Sequence, residues 1–176
     1  MESVQCLIIT PTRELAIQIT DEANKLTKIK IINILAAYGG KDIGSQIRKL
    51  KNSIHMIIAT PGRLLDHISR DTVDLSKLKT LVIDEADQML LMGFKKEVED
   101  IIKETPKTRQ TLCFSATLDS DVKKLAYKYM KNPISISVQK ESVTLDNIKQ
   151  DVVEEAMHKK GYNCEKLYSD ILVCCT

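Results

Sequence analysis

Leu81-Val82-Ile83-Asp84-Glu85-Ala86-Asp87 is the stretch that decides the fold. Three large apolar residues run straight into three carboxylates with one alanine among them. No polar residue alternates within Leu81, Val82 and Ile83, so they read as a strand buried on both faces. Asp84 and Glu85 then stand at the carboxyl end of that strand. In an open α/β sheet that end is where ligands sit. Carboxylates there need a cation, a donor or water, because a buried unpaired charge is costly. Mg²⁺ arriving with a phosphate ligand is one natural partner, since it keeps its waters and needs only one or two carboxylates. A neighbouring Glu is then placed to orient or deprotonate an attacking water. The same residues also read as a strand followed by a solvated acidic turn, and short motifs carry a false-positive risk.

Outward from this stretch, short apolar runs alternate with amphipathic ones. Strand-like runs fall at Cys6–Ile9, 31–36, Met56–Ala59, 80–84, 111–114 and 134–138. Between them apolar residues recur at helical spacing. Leu15, Ile19, Ala23 and Leu26 mark a helix over 13–27; Ile43, Ile47 and Leu50 a second; Leu64, Leu65 and Ile68 a third. Phe94, Val98, Ile101 and Ile102 mark the next, and Leu118, Val122, Leu125 and Tyr129 the last. This alternation predicts an α/β fold, an open, mostly parallel sheet with helices on both faces. From Gln139 the pattern degrades. Residues 142–147 read as a linker, 148–153 as a short strand and 165–172 as a short helix.

Two segments share one grammar: Thr10-Pro11-Thr12-Arg13 and Thr60-Pro61-Gly62-Arg63 each join a strand to a helix. Thr suits an N-cap and Pro the first helical position. The free N–H groups of a first turn carry the positive end of the helix dipole, and an Arg there adds a bidentate donor. Each is a phosphate cradle or simply a capped helix. The pair together suggests one extended polyanion touching several helix starts. Tyr38-Gly39-Gly40 follows another strand, where glycines permit close approach or positive φ, or make an ordinary turn. Phe114-Ser115-Ala116-Thr117 ends a further strand with two hydroxyls, which also suit a cap, and Asp119 or Ser120 could begin the next helix.

The 176 residues are 43% hydrophobic and 28% charged, which is one ordinary globular domain and not a disordered chain. The net charge of +2 announces no polyanion partner globally, so a nucleic-acid surface must be local. Aromatics are 4% with no Trp, which argues against a base-stacking platform. Met1-Glu2-Ser3-Val4 lacks the basic start of a signal peptide, and no apolar run approaches membrane-spanning length. The cysteines Cys6, Cys113, Cys164, Cys174 and Cys175 form no CxxC pair and read as thiols of a reducing cytosol. His55, His67 and His158 have no metal-ligand spacing and read as surface or capping residues.

Pro11-Thr12-Arg13-Glu14-Leu15-Ala16, Gly39-Gly40, Thr60-Pro61-Gly62-Arg63, Asp84-Glu85-Ala86-Asp87 and Ser115-Ala116-Thr117, in this order, resemble the first, RecA-like domain of a DEAD-box ATP-dependent RNA helicase. The resemblance spans about residues 4–155. It implies that Asp84 holds the Mg²⁺ of bound ATP through water and that Glu85 positions the attacking water. It implies that Asp87, Ser115 and Thr117 couple the nucleotide site to the RNA-bound conformation. Thr12, Arg13, Gly39, Gly40, Thr60, Gly62 and Arg63 would touch the sugar-phosphate backbone of single-stranded or duplex RNA, without base readout.

The departures are as informative. The family's P-loop, GxxxxGK[ST], occurs nowhere in the 176 residues, nor does its adenine-clamping glutamine segment. The resemblance also implies a second domain with an arginine finger, of which the 176 residues are expected to carry at most the start. The expected organisation is therefore a partial helicase domain over 1–140, lacking its first strand and P-loop. Residues 141–176 would be a linker and the possible start of a second domain. Expected functions are a cytoplasmic ATP-dependent RNA helicase core in which this piece lacks ATPase activity, or a non-catalytic RNA-backbone binder or inert remnant. An unrelated metal-dependent hydrolase using Asp84 and Glu85 is disfavoured, because no further ligands have the right spacing.

Overall fold

The computed structural model describes residues 3–27 and 32–136. Within them the chain forms eleven elements. In order they are β1 (Cys6–Ile9), α1 (Arg13–Leu26), β2 (Ile34–Ala37), α2 (Ile43–Leu50), β3 (Met56–Ala59), α3 (Pro61–Ser69), β4 (Thr80–Ile83), α4 (Ala86–Leu91), α5 (Lys95–Lys103), β5 (Gln110–Cys113) and α6 (Ser120–Tyr129). The strands make one sheet in the order β2-β3-β1-β4-β5, every neighbouring pair parallel. Parallel pairs need long crossovers, and the intervening helices supply them. The expected α/β sheet with helices on both faces is what the chain forms. No helix among the described residues is long and apolar enough to cross a membrane.

The strand period sorts side chains into two layers. Leu7, Ile9, Leu35, Ala37, Ile57, Ala59, Leu81 and Ile83 face the larger core, with Leu64, Val98, Ile101, Val122 and Leu125 from the helices. Ile8, Ile34, Ala36, Met56 and Ile58 face the other way, against Ala16, Ile17, Ile19 and Ala23 of α1. The second face is thus covered chiefly by one helix. That corrects the reading of β4 as buried on both faces: Leu81 and Ile83 are buried, but Val82 is half-buried.

Several boundaries also move. The strand expected at 31–36 is Ile34–Ala37, and residue 31 is not among those described. Ile19 and Ala23 pack on the sheet as expected, but the face of α1 turns towards Ala16 and Ile17 and away from Leu26. Ala16 is its fully buried position, where a small side chain lets the helix approach the sheet, and Leu26 is 83% exposed. Helix α4 is not among the expected elements. In the strand expected at 134–138, residues 134–136 belong to no strand and Ile134 is 87% exposed. Leu118 precedes α6 and is exposed; Asp119 caps that helix, accepting from Asp121 and Val122. One compact unit, Met1–Ser135, contains all eleven elements. The division expected at 140/141, the elements expected beyond it, His158 and the last three cysteines lie outside the described residues.

Candidate functional site

The parallel register brings every strand's carboxyl end to one edge. Ala37, Ala59, Ile9, Ile83 and Cys113 are aligned across the sheet. The first residue beyond each strand continues the ladder: Thr60 N–H donates to Ala37 O, Thr10 to Ala59 O, Asp84 to Ile9 O and Phe114 to Ile83 O, at 2.8–3.0 Å. Across the sheet, the loops after β2, β3 and β1 lie side by side, followed by those after β4 and β5. The sheet order therefore divides the candidate residues into a basic group and a carboxylate–hydroxyl group.

The basic group is built on the starts of α1 and α3. Thr12 caps α1, its Oγ1 accepting from Leu15 N–H at 3.3 Å. Thr60 caps α3 through backbone geometry, with no side-chain bond, and Pro61 fills the first turn. The repeated Thr-Pro-x-Arg grammar thus has two solutions, since Pro11 precedes its cap and Pro61 follows it. Both arginines still fall in a first turn. Arg13 lies 5.9 Å from the Tyr38 ring centroid, and Lys41 Nζ lies 5.3 Å from the same ring. Gly40 has φ +81°, which calls for glycine, and a Cβ there would meet only the movable tip of Arg13, Nη1 at 3.0 Å. Arg63 Nη1 donates to Lys41 O at 3.0 Å. Arg13, Gly40, Lys41 and Arg63 are thereby drawn together from three loops. Gly39 and Gly62 are exposed, and a Cβ at either would meet nothing within 4 Å. Glu14, 3.7 Å from Arg13 Nε, is the acidic neighbour of this group.

The second group is held by Asp87. Its buried carboxylate accepts from Thr117 N–H and Thr117 Oγ1, both at 3.0 Å, and from Gln88 N–H at 3.0 Å. Asp87 N–H donates to Ser115 Oγ at 3.2 Å. Burial alone would push this carboxyl up, but hydrogen bonds from Thr117, Gln88 and Ser115 outweigh it and hold it below the usual carboxylate range. The structure thus joins Asp87, Ser115 and Thr117. Beside them Asp84 is half-buried and Glu85 is exposed. Asp84 Oδ1 accepts Glu85 N–H at 3.0 Å. Glu85 is left-handed at φ 50°, ψ 52°. Cys113 is half-buried, and burial, then the Asp87 charge, pushes its thiol up; burial does the same to Cys6.

Among the described residues no three His, Cys, Asp or Glu assemble as a metal cage. With Asp87 engaged, Asp84 is the carboxylate suited to a hard cation. That donor set fits Mg²⁺ bringing phosphate and water ligands with it, and does not fit a cation held by protein alone.

Sequence reading missed Lys41 and Gln46 and gave the Tyr38 side chain no role. A basic residue directly after paired glycines was the available signal for Lys41. His67 corrects the surface reading: it is 1% exposed. Its Nε2 lies 3.0 Å from Gln46 Oε1 and its Nδ1 2.9 Å from Thr72 Oγ1. Burial, then Arg63, pushes the imidazole below its ordinary range. His55, half-buried just before β3, accepts at Nδ1 from Asn33 N–H at 2.9 Å.

A DEAD/DEAH box helicase family model matches residues 1–125. The chain belongs to the DEAD/DEAH box helicase family. It is 48% identical to a DEAD-box ATP-dependent RNA helicase CshA of Bacillus cereus over 159 residues, 90% of this chain and 30% of that protein. The Bacillus subtilis protein of the same name is 45% identical over 158 residues, 90% of this chain and 32% of its own length. The crystal structure of a DEAD box protein from the hyperthermophile Methanococcus jannaschii superposes with a TM-score of 0.72 at 45% identity, covering 74% of this chain and 36% of that one. The chain thus spans about a third of the length of these DEAD-box relatives. The family segments are the loops already described at the carboxyl edge of the sheet.

Proposed function

We propose that this chain is the part of an ATP-dependent RNA helicase that grips the RNA sugar-phosphate backbone and carries the water-positioning carboxylate. The observation that carries this reading is the convergence of Arg13, Gly40, Lys41 and Arg63 from three adjacent loops. Two guanidiniums, one ammonium and the N–H groups of two helix starts suit successive phosphates. They offer no base-edge code, so binding is tolerant of sequence. Thr12, Gly39, Thr60 and Gly62 lie in the same loops and complete the contact surface. Lys41 joins this set by its place over Tyr38.

Asp84 would hold Mg²⁺, and Glu85 would orient the attacking water and accept its proton. Mg-ATP, when bound, supplies the phosphoryl group and the metal's positive charge. Asp87 locks the loop after β4 to Ser115 and Thr117, so a shift of either loop reaches Glu85 through Ala86. The triphosphate cradle of this family is the GxxxxGK[ST] segment, which the 176 residues do not include. The 176-residue polypeptide by itself is therefore a backbone binder that releases phosphate from Mg-ATP and RNA at the blank rate. Turnover that vanished in Glu85→Gln would overturn that expectation.

The grip is tested by titrating short unstructured RNA at several salt concentrations. Arg13→Ala and Arg63→Ala are each expected to weaken binding and to lower the salt slope by about one unit or slightly less. An unchanged slope in both variants removes these arginines from the site.

A further inference from the structure

A buried hydrogen-bonded chain runs beneath the basic group. Gln46, 2% exposed on α2, donates from Nε2 to the carbonyl of Tyr38 at 3.2 Å. A carbonyl only accepts, so the amide orientation is fixed and Oε1 faces His67. His67 Nε2, 3.0 Å away, must then carry a hydrogen. On the other side of the ring Nδ1 faces Thr72 Oγ1 at 2.9 Å. Thr72 Oγ1 also lies 2.9 Å from His67 O, but Thr72 N–H donates to that same carbonyl at 3.0 Å, so the carbonyl stays satisfied when the hydroxyl hydrogen turns to Nδ1 instead. Every polar atom of the neutral chain has a partner. Arg63, Asp66 and Arg70, all on or capping α3, are the charged groups acting on His67, and the net effect with burial favours this neutral form.

The ends of the chain are significant. Tyr38 is the residue before Gly39-Gly40. His67 lies one helical turn after Arg63, on the same face of α3. At the surface the same two segments are joined again, by Arg63 Nη1 to Lys41 O. That outer link uses a donor that a phosphate competes for. The inner link uses none of the residues that meet RNA.

We propose that Gln46 and His67 are positioning residues for the RNA grip: their buried chain locks the Tyr38-Gly39-Gly40 turn to α3, so that the two loops meet successive phosphates as one rigid unit. This rests on the backbone-binding reading above. The outer link can yield to a phosphate while the inner one preserves the spacing between the loops.

The test uses the 176-residue chain, below the melting temperature of every variant, with nitrogen-15 relaxation and RNA titration read together. Gln46→Met keeps length and removes both bonds. It is expected to lower the backbone order parameters of Gly39, Gly40 and Lys41 from about 0.85 to below about 0.6. It is also expected to weaken binding of a short unstructured RNA about tenfold, as losing buried hydrogen bonds that hold a binding loop does. Thr72→Val trims the far end of the chain and is expected to leave both readouts unchanged. The proposal is overturned if Gln46→Met leaves the three amides rigid, or if Thr72→Val loosens them equally, which is general softening of the core. It is also overturned if Arg63→Ala weakens RNA binding and Gln46→Met does not. If Gln46→Met loosens the turn while Arg13→Ala and Arg63→Ala leave RNA affinity untouched, the backbone-binding reading falls and the locking of the turn stands.

Discussion

Glu85 combines an exposed carboxylate with a backbone conformation that side chains disfavour. A left-handed residue other than glycine costs about 1–2 kcal/mol. The flanking bonds hold it there: Asp84 Oδ1 takes its N–H, and Ala86 N–H is bound to Phe114 O at 3.0 Å. Strain of this kind persists where the surroundings over-determine it, which is common at functional sites. Glu85→Gly is therefore expected to be more stable than Glu85→Ala by about 1 kcal/mol in urea denaturation, the reverse of an ordinary helix position. Equal stabilities would show that the left-handed geometry is not enforced. The carboxylates themselves were legible from sequence, because three acids at the end of an apolar strand need an explanation. The φ of Glu85 was not, since no local signal in Asp-Glu-Ala-Asp marks it. Nor was the burial of His67, whose partner Gln46 is 21 residues away. A polar residue satisfied by a distant one looks like a surface residue in any local window.

At the level of elements, periodicity revealed α1, α2, α3, α5 and α6, with α1 placed to within one residue of its observed end. The six residues of α4 complete too few turns for a pattern to repeat. Residues 134–136 fail in the opposite way: Ile134 and Ile136 alternate like a strand, yet a strand exists only with a partner to bond. The two Thr-Pro-x-Arg starts show how one local grammar admits two structures. Thr12 makes a side-chain cap bond and Thr60 makes none. Thr12→Ala is accordingly expected to cost about 1 kcal/mol, whereas Thr60→Ala costs well under that amount. Equilibrium unfolding of the two variants side by side checks this, and equal losses would mean that Thr60 caps its helix in solution after all.

For the molecule as a whole, alternation specified a parallel sheet but not the order β2-β3-β1-β4-β5, which depends on long-range pairing. That order separates the basic loops from the carboxylate–hydroxyl loops, and it also sets the sheet's open side. Among the described residues β5 has no neighbour beyond it. Its Thr111, Leu112 and Cys113 are only half-buried, Phe114 is 54% exposed, and Leu118 and Ile134 are also exposed. An unpaired edge with nearby apolar side chains is a template for pairing with another chain. Against a typical domain stability of about 5–15 kcal/mol, incomplete cover of one sheet edge is a substantial loss. The purified 176-residue polypeptide is therefore expected to self-associate with rising concentration and to melt with weak cooperativity. Phe114→Lys places a charge beside that edge and is expected to shift the population towards monomer, as charged residues do on natural edge strands. Size-exclusion chromatography over a range of concentrations, followed by thermal unfolding, decides the matter. A concentration-independent monomer of 19.9 kDa with one sharp transition would show that the β5 edge is protected in solution.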